Sequence, residues 1–174
     1  KWHPLMTWSI KEFLIESVLD PGGLMLGRNK VRELLPNALT HRINMKHILE
    51  PVMKRKTYPS GLPVLHEENI TIAQKYDIPS SFVYAVNQKL LDTLEKEYRK
   101  GRKITKKNIA LGDNVHDVLD GADTIGVLLD YKDKKVYYLN SIANGSIIGG
   151  NATYTQVAVG ITAALLTLIR KRIK

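Results

Sequence analysis

The chain has 174 residues, of which 44% are hydrophobic and 25% charged, and this composition supports a folded core and excludes intrinsic disorder. It contains no cysteine, which excludes disulfides, thiolate metal sites and a cysteine nucleophile. The formal net charge of +9 favours a polyanionic partner, either nucleic acid or an anionic membrane surface.

Apolar residues at helical spacing predict several helices in the first part of the chain. Their expected ranges are residues 8–19, 29–35 and 44–56. The first helix ends at the sequence DPGG and the second at Pro36. Pro51 kinks or breaks the third, because proline removes a backbone donor and clashes with the preceding turn.

A helix pair is predicted next, after a loop over residues 57–64 that is rich in proline. A short helix covers 69–76, and a long helix with one apolar stripe runs from Pro79 or Ser80 to about Lys100. Small and apolar residues stand where two crossing helices need them, namely Ala73, Tyr76, Ile78, Val83 and Val86. The segment 69–100 resembles the helix-turn-helix of bacterial regulators and transposase-type DNA-binding domains.

This resemblance implies that polar side chains early in the second helix read bases, while the basic stretch 96–107 binds phosphates. The expected base-reading residues are Ser80, Ser81, Tyr84, Asn87 and Gln88. The expected phosphate contacts are Arg99, Lys100, Arg102, Lys103, Lys106 and Lys107. The same segment also resembles the helical entry of lysozyme-like transglycosylases, but Asn87, Gln88 and Lys89 stand where that family needs a catalytic glutamate.

A second candidate site lies in the acidic stretch that follows, where four side chains at i, i+3, i+4 and i+7 share one helical face. They are Asp113, His116, Asp117 and Asp120. Such an array can hold a divalent cation or pair an acid with a base, so it is the active-site candidate if the protein is an enzyme. The competing interpretation is that Asp113 caps a helix and the others are solvated. The sequence has no zinc signature, phosphate loop or nucleophile elbow, so no metal and no cofactor is predicted.

The last part of the chain predicts a β-hairpin over 124–139, a glycine-rich linker and an apolar helix over 152–174. Residues 153–169 carry no charge, and a basic end follows them, with Arg170, Lys171, Arg172 and Lys174. Three environments fit this helix: a soluble core, a lipid bilayer with the basic end at the membrane surface, or an interface between copies of the chain.

These patterns together predict an α+β fold that is mainly helical, with five to seven helices, one β-hairpin and an apolar C-terminal helix. We expect a helical domain over 1–110, containing the helix-turn-helix-like pair (69–100), and a hairpin with the C-terminal helix over 111–174. The second part is expected to pack on the first as one unit.

The leading functional hypothesis is nucleic-acid binding without catalysis, in the cytoplasm. The first alternative is a membrane-active or membrane-associated protein, exported or membrane-bound, that acts on an anionic membrane through the C-terminal helix. The second alternative is a metal-dependent enzyme built around Asp113, His116 and Asp117. Each hypothesis is compatible with a homo-oligomer.

Overall fold

The structure is a computed structural model that describes residues 5–105, 107, 109–111 and 120–172. The chain divides into two compact units, Lys1–Ala110 and Leu111–Lys174. The structure is 39% helical and 27% strand, so the fold is an α+β mix, and the prediction of a mainly helical fold is wrong. Packing of the second unit on the first stays a prediction.

The first unit is built around an antiparallel sheet. Its strands are β2 (Gly22–Gly27), β3 (Lys30–Leu35), β4 (Ile43–Asn44), β5 (Ser60–Val64) and β6 (Phe82–Tyr84). Their order is β3-β2-β5-β4, and β6 also pairs with β5. The turn between β2 and β3 places Asn29 in the left-handed conformation, with a φ of 58°. A separate pair joins β1 (Leu5–Met6) to β7 (Ala110–Leu111).

The helices of the first unit are α1 (Ile10–Leu14), continued by a π-helical turn (Ile15–Leu19), α2 (Lys46–Leu49), α3 (Glu67–Tyr76) and α4 (Gln88–Arg99). The Ser9 hydroxyl caps α1, because it accepts a hydrogen bond from the Glu12 amide. Helix α3 ends at Asp77, which is left-handed with a φ of 53° and accepts a hydrogen bond from the Arg28 amide.

The core of the first unit joins side chains from helices, strands and connecting segments. Phe13 from α1, Leu62 from β5 and Leu39 from the segment after β3 are fully buried. Helix α4 adds Leu91 and Leu94, which belong to the apolar stripe predicted for the second helix of the pair. The helical part of that stripe therefore does face the core.

Some segments predicted as helix or loop are strands or only short turns, because cross-strand pairing outweighs local propensity. Residues 29–35 contain β3, which pairs with β2 from Gly22↔Leu35 to Gly27↔Lys30. The predicted helix 44–56 shrinks to the single turn α2. The predicted loop 57–64 contains β5, which lies between β2 and β4.

The second unit contains a β-hairpin followed by a long helix. Strands β8 (Ala122–Asp130) and β9 (Lys135–Ala143) pair in continuous register, as the sequence predicts for this segment. Gly126 lies close to the neighbouring strand within β8, since an added Cβ atom would be 2.9 Å from the Tyr137 ring. A 3-10 turn over Asn144–Ser146 then leads to α5 (Ala152–Arg172).

Candidate functional site

Helix α5 is apolar, long and exposed. Its most apolar window of 18 residues has a mean hydropathy of 1.6, and only 11% of that window is buried. Ala152–Lys171 spans 20 residues, which at a rise of about 1.5 Å per residue matches the roughly 30 Å hydrocarbon thickness of a bilayer. The structure therefore leaves most of this helix exposed, and its final environment, whether a core, lipid or an interface between copies, stays a prediction.

The hydroxyl groups in the middle of α5 are satisfied within the helix. Thr162 donates a hydrogen bond to the Ala158 carbonyl, and Thr167 donates one to the Ala163 carbonyl, both at 2.8 Å. An unsatisfied polar group in hydrocarbon costs several kcal/mol, and internal bonding removes much of that cost. These threonines lower the hydropathy of α5 but present no unpaired donor along it.

The start of α5 is bonded to the hairpin through side-chain amides, which we call the amide clasp: Asn140, Asn144, Asn151 and Gln156. Asn151 is fully buried and caps the helix, because its Oδ1 accepts the Tyr154 amide at 3.0 Å. Asn144 Oδ1 accepts the Ala152 amide at 2.9 Å. Both bonds use amides that the first turn of a helix leaves without a partner.

Gln156 completes the amide clasp from one turn further along. Its Nε2 lies 3.1 Å from the Asp123 carbonyl oxygen, 3.3 Å from the Asn140 carbonyl oxygen and 3.2 Å from Asn140 Oδ1. These acceptors belong to both strands of the hairpin. Gln156 therefore ties β8 and β9 to α5.

The two flanks of α5 differ in charge. No charged residue occurs from Val136 to Ile169, and the cations Arg170 and Lys171 follow directly and are exposed. The side chains of Arg172 and Lys174, also predicted at the membrane surface, lie outside the described part of the chain. Tyr154 is exposed at the other end, and tyrosine is enriched where membrane helices meet the headgroups.

The predicted helix-turn-helix is not formed. Between α3 and α4, the segment Phe82–Tyr84 is β6, and it pairs with β5 from Leu62↔Tyr84 to Val64↔Phe82. The helix expected from Pro79 or Ser80 therefore begins only at Gln88. Local spacing suggested a helix, but the sheet takes these residues as a strand.

The first three predicted base-reading residues lie along this strand region. Ser80 exchanges backbone hydrogen bonds of 3.0 Å with Met25, and Ser81 is exposed. The Tyr84 ring packs 5.0 Å from the Trp8 ring, centroid to centroid. These positions do not form the outward face of a helix.

The other two residues, Asn87 and Gln88, bond to the protein itself. Asn87 Oδ1 caps α4 by accepting the Lys89 amide at 3.0 Å. The Gln88 side chain accepts the Ser60 amide at 2.9 Å and donates to the Ser60 carbonyl at 3.0 Å. DNA contact by the five predicted residues stays a prediction, but the helix pair from which it was inferred is not formed.

The basic stretch 96–107 is partly neutralised by two glutamates of α4. Arg99 pairs with Glu95 at 2.6 Å. Glu97 pairs with Lys100 at 3.7 Å and with Arg102 at 2.6 Å. The bonded Arg102 guanidinium lowers the pKa of the Glu97 carboxyl below its ordinary value.

Two further cations of this stretch, Lys103 and Lys107, are exposed and have no acidic partner among the described residues. Lys106 lies outside the described residues. Phosphate binding by the 96–107 stretch stays a prediction. Arg99 and Arg102 would have to break their ion pairs with glutamate in order to bind a phosphate.

The acid–histidine candidate falls mostly outside the described residues, which exclude Asp113, His116 and Asp117. Asp120 is described, and its carboxylate accepts the Gly121 amide at 2.7 Å in a turn. In the described ranges, no group of three or more His, Asp or Glu residues is arranged to hold a metal ion. The metal-dependent enzyme stays a prediction.

A half-buried cluster in the first unit was missed by sequence reasoning. His66 Nε2 lies 3.7 Å from Glu16 Oε1, its Nδ1 contacts the Glu68 carboxylate, and its ring stacks on Phe82. Burial raises the pKa of Tyr84 above its ordinary range, and the neighbouring Glu16 carboxylate adds to the shift. The cluster joins the π-helical turn, the start of α3 and β6, so no local spacing signals it.

The chain matches no protein-family model, no curated protein and no solved structure. Its most unusual feature is a long apolar helix that the described protein leaves exposed.

Proposed function

We propose that this protein is anchored in a lipid bilayer by α5, with the basic end of the helix at an anionic membrane surface. The observation that carries the proposal is the exposure of a helix of membrane-spanning length, of whose apolar window only 11% is buried. Apolar surface left in water costs about 25 cal/mol per Å², so an apolar environment is expected to cover this helix.

A bilayer suits α5 better than a single groove because exposed apolar side chains occur around the helix. Val157 and Val159 are both 54% exposed, and Ile161 is 65% exposed. Successive residues are about 100° apart, so Val157 and Val159 point to nearly opposite sides. One flat partner surface covers one side only, whereas lipid covers every side.

The charge distribution supports one orientation of the anchor. Lysine and arginine are enriched in the cytoplasmic flanks of membrane helices. Arg170 and Lys171 lie in the last turn of α5, whereas the flank that precedes α5 from Val136 is uncharged. Each cation close to an anionic leaflet contributes about 1 kcal/mol. In this arrangement the amide clasp holds the hairpin at the opposite surface of the bilayer.

The substitution Ile161→Asp tests the anchor. Ile161 lies near the middle of Ala152–Lys171 and is exposed, so the change leaves the packing of the second unit intact. An aspartate at the centre of a membrane helix opposes insertion by about 3 kcal/mol, and this corresponds to roughly a 100-fold loss of partitioning. Full-length protein is mixed with vesicles of phosphatidylcholine and phosphatidylglycerol, floated on a density gradient and washed with alkaline carbonate.

The matched control is Ser81→Asp, which adds the same charge at an exposed position of the first unit. We expect wild type and Ser81→Asp to float and to resist the wash, and Ile161→Asp to stay at the bottom. Equal flotation of Ile161→Asp and wild type would refute insertion through α5. Wild-type protein that ignores vesicles but forms oligomers, which Ile161→Asp disrupts, would make α5 an interface between copies.

A further inference from the structure

The first unit carries most of the positive charge of the chain. Residues 1–110 contain 19 Lys and Arg against 11 Asp and Glu, which gives +8 of the total +9. Many of these cations are occupied by acids, as Arg42 is by Asp92 at 2.9 Å and Glu95 at 2.7 Å. A cation without an acidic partner binds an external anion more readily, because no existing pair must be broken.

Lys54, Arg55 and Lys56 are consecutive cations that remain unpaired. All three side chains are exposed, and none has an acidic group within ion-pair distance in the part of the chain that the structure describes. They follow α2, in a segment that the sequence pattern assigned to a helix. In the 96–107 stretch, by contrast, Glu95 and Glu97 pair with Arg99, Lys100 and Arg102, and the unpaired Lys103 and Lys107 are not consecutive.

Two of these cations border an open cleft of about 410 Å³ beside the start of α2. Arg55, Lys56 and Thr57 line it, together with Asn44 and the acidic residue Glu50. Lys46 lines the cleft as well, and its Nζ is 3.8 Å from Glu50 Oε1. That ion pair is long and exposed on both sides, and such pairs contribute little, so Lys46 is available to a ligand.

The shape of the cleft is fixed by bonds at the end of the cationic segment. The Tyr58 hydroxyl, which lines the cleft, accepts the Arg55 amide at 3.3 Å. The next residue, Pro59, accepts the Met45 amide at 3.0 Å through its carbonyl. A segment that is already ordered loses less conformational entropy when it binds a ligand.

We propose that this cleft binds the phosphate group of a small phosphorylated molecule. Arginine presents a planar fork that matches phosphate oxygens, and lysine adds point charge, so Arg55, Lys56 and Lys46 suit a doubly charged anion. The Thr57 hydroxyl is a further donor. A volume of about 410 Å³ lies in the range of small-molecule sites, so the cleft holds more than a bare phosphate ion. This proposal does not rest on the membrane anchor.

Inorganic pyrophosphate is the probe for the test. Full-length protein in neutral maltoside micelles is titrated at constant ionic strength and followed by amide NMR and by calorimetry. The site variant replaces Arg55 and Lys56 by glutamine, and the control variant replaces Lys103 and Lys107 by glutamine. Both remove two exposed, unpaired cations, so they change the net charge equally.

We expect a saturable shift confined to residues 44–58 in wild type and in the control, and binding at least about tenfold weaker in the site variant. Equal weakening in both double variants would overturn the proposal, because it would mean general charge attraction. An unsaturable response, or shifts centred on 99–107, would overturn it as well. Should the site variant fail to fold, Lys46→Gln repeats the test at a third cation that lines the cleft.

Discussion

Replacing Gln156 tests whether the amide clasp holds α5 to the hairpin. Gln156 is buried, and its Nε2 lies 3.1–3.3 Å from three oxygen atoms of Asp123 and Asn140. Because this nitrogen carries two hydrogens, we count two full hydrogen bonds. A neutral hydrogen bond contributes about 1 kcal/mol net, so Gln156→Leu is expected to cost about 2 kcal/mol.

The substitution Gln156→Glu extends the same test, because the stability of this variant depends on pH. The glutamate has the same shape but, when ionised, offers no donor to the three oxygens, and burial raises its pKa above the unfolded value of about 4.3. The folded state then holds the proton more tightly than the unfolded state. Stability is therefore present below about pH 4.3 and lost as pH rises through the raised folded pKa. Gln156→Leu has no group at this position to titrate.

Hydrogen exchange of the β8 and β9 amides in full-length protein is the assay. An isolated two-stranded hairpin is at best marginally stable in water, so protection of these amides depends on docking to α5. A loss of about 2 kcal/mol speeds their exchange about 30-fold. The control Thr162→Val removes a hydroxyl that bonds only within α5 and is expected to leave the hairpin unchanged. Wild-type exchange rates in Gln156→Leu would refute the clasp.

The remaining predictions concern two shifted pKa values in the first unit. Arg102→Ala should raise the pKa of Glu97 towards 4.5, as followed by carboxyl NMR, because the guanidinium holds it down. The Glu97–Arg102 ion pair stabilises the fold above pH 4.5, and this stability is lost as pH falls through the lowered pKa of Glu97 in the folded state. An unchanged Glu97 titration in Arg102→Ala would contradict this prediction. Tyr84 should ionise after the exposed tyrosines in an absorbance titration, and Glu16→Gln should bring it closer to them. Its raised pKa means that stability declines as pH rises above about 10, and simultaneous titration of all tyrosines would argue against it.

Elements with strong local signals were predictable from the sequence. The β8–β9 hairpin has β-branched and aromatic residues in two runs separated by a polar turn, and it forms where expected. The presence of α5 was predictable from its apolar composition, and the buried face of α4 was predictable from the helical spacing of its leucines. By contrast, β3 and β6 depend on partners distant in sequence, Gly22–Gly27 and Ser60–Val64. The segment Gly22–Gly27 contains glycines and Ser60–Val64 contains a proline, and both residue types locally indicate a break in regular structure. The sheet was therefore not predicted.

The candidate sites show the same limit. The Glu95–Arg99 and Glu97–Lys100 pairs stand at i,i+4 and i,i+3, so their neutralising effect was predictable from spacing, although the charge count alone ignored it. The approach of His66 to Glu16 was not predictable, because it requires a π-helical turn and α3 to meet. The environment of α5 was also undetermined, since the same composition suits a core, a bilayer or an interface.

The two proposals together assign separate roles to the two groups of cations. Arg170 and Lys171 lie in the last turn of α5, directly after its apolar stretch, where positive charge sets membrane orientation. The +8 of residues 1–110 precedes an uncharged flank, and charge that far from a membrane helix has little influence on its orientation. In the proposed arrangement, the orientation of α5 is therefore set by its own basic end and not by the charge of the first unit. In the two proposals, Lys46, Arg55 and Lys56 bind a phosphorylated ligand, whereas Arg170 and Lys171 bind the anionic membrane surface.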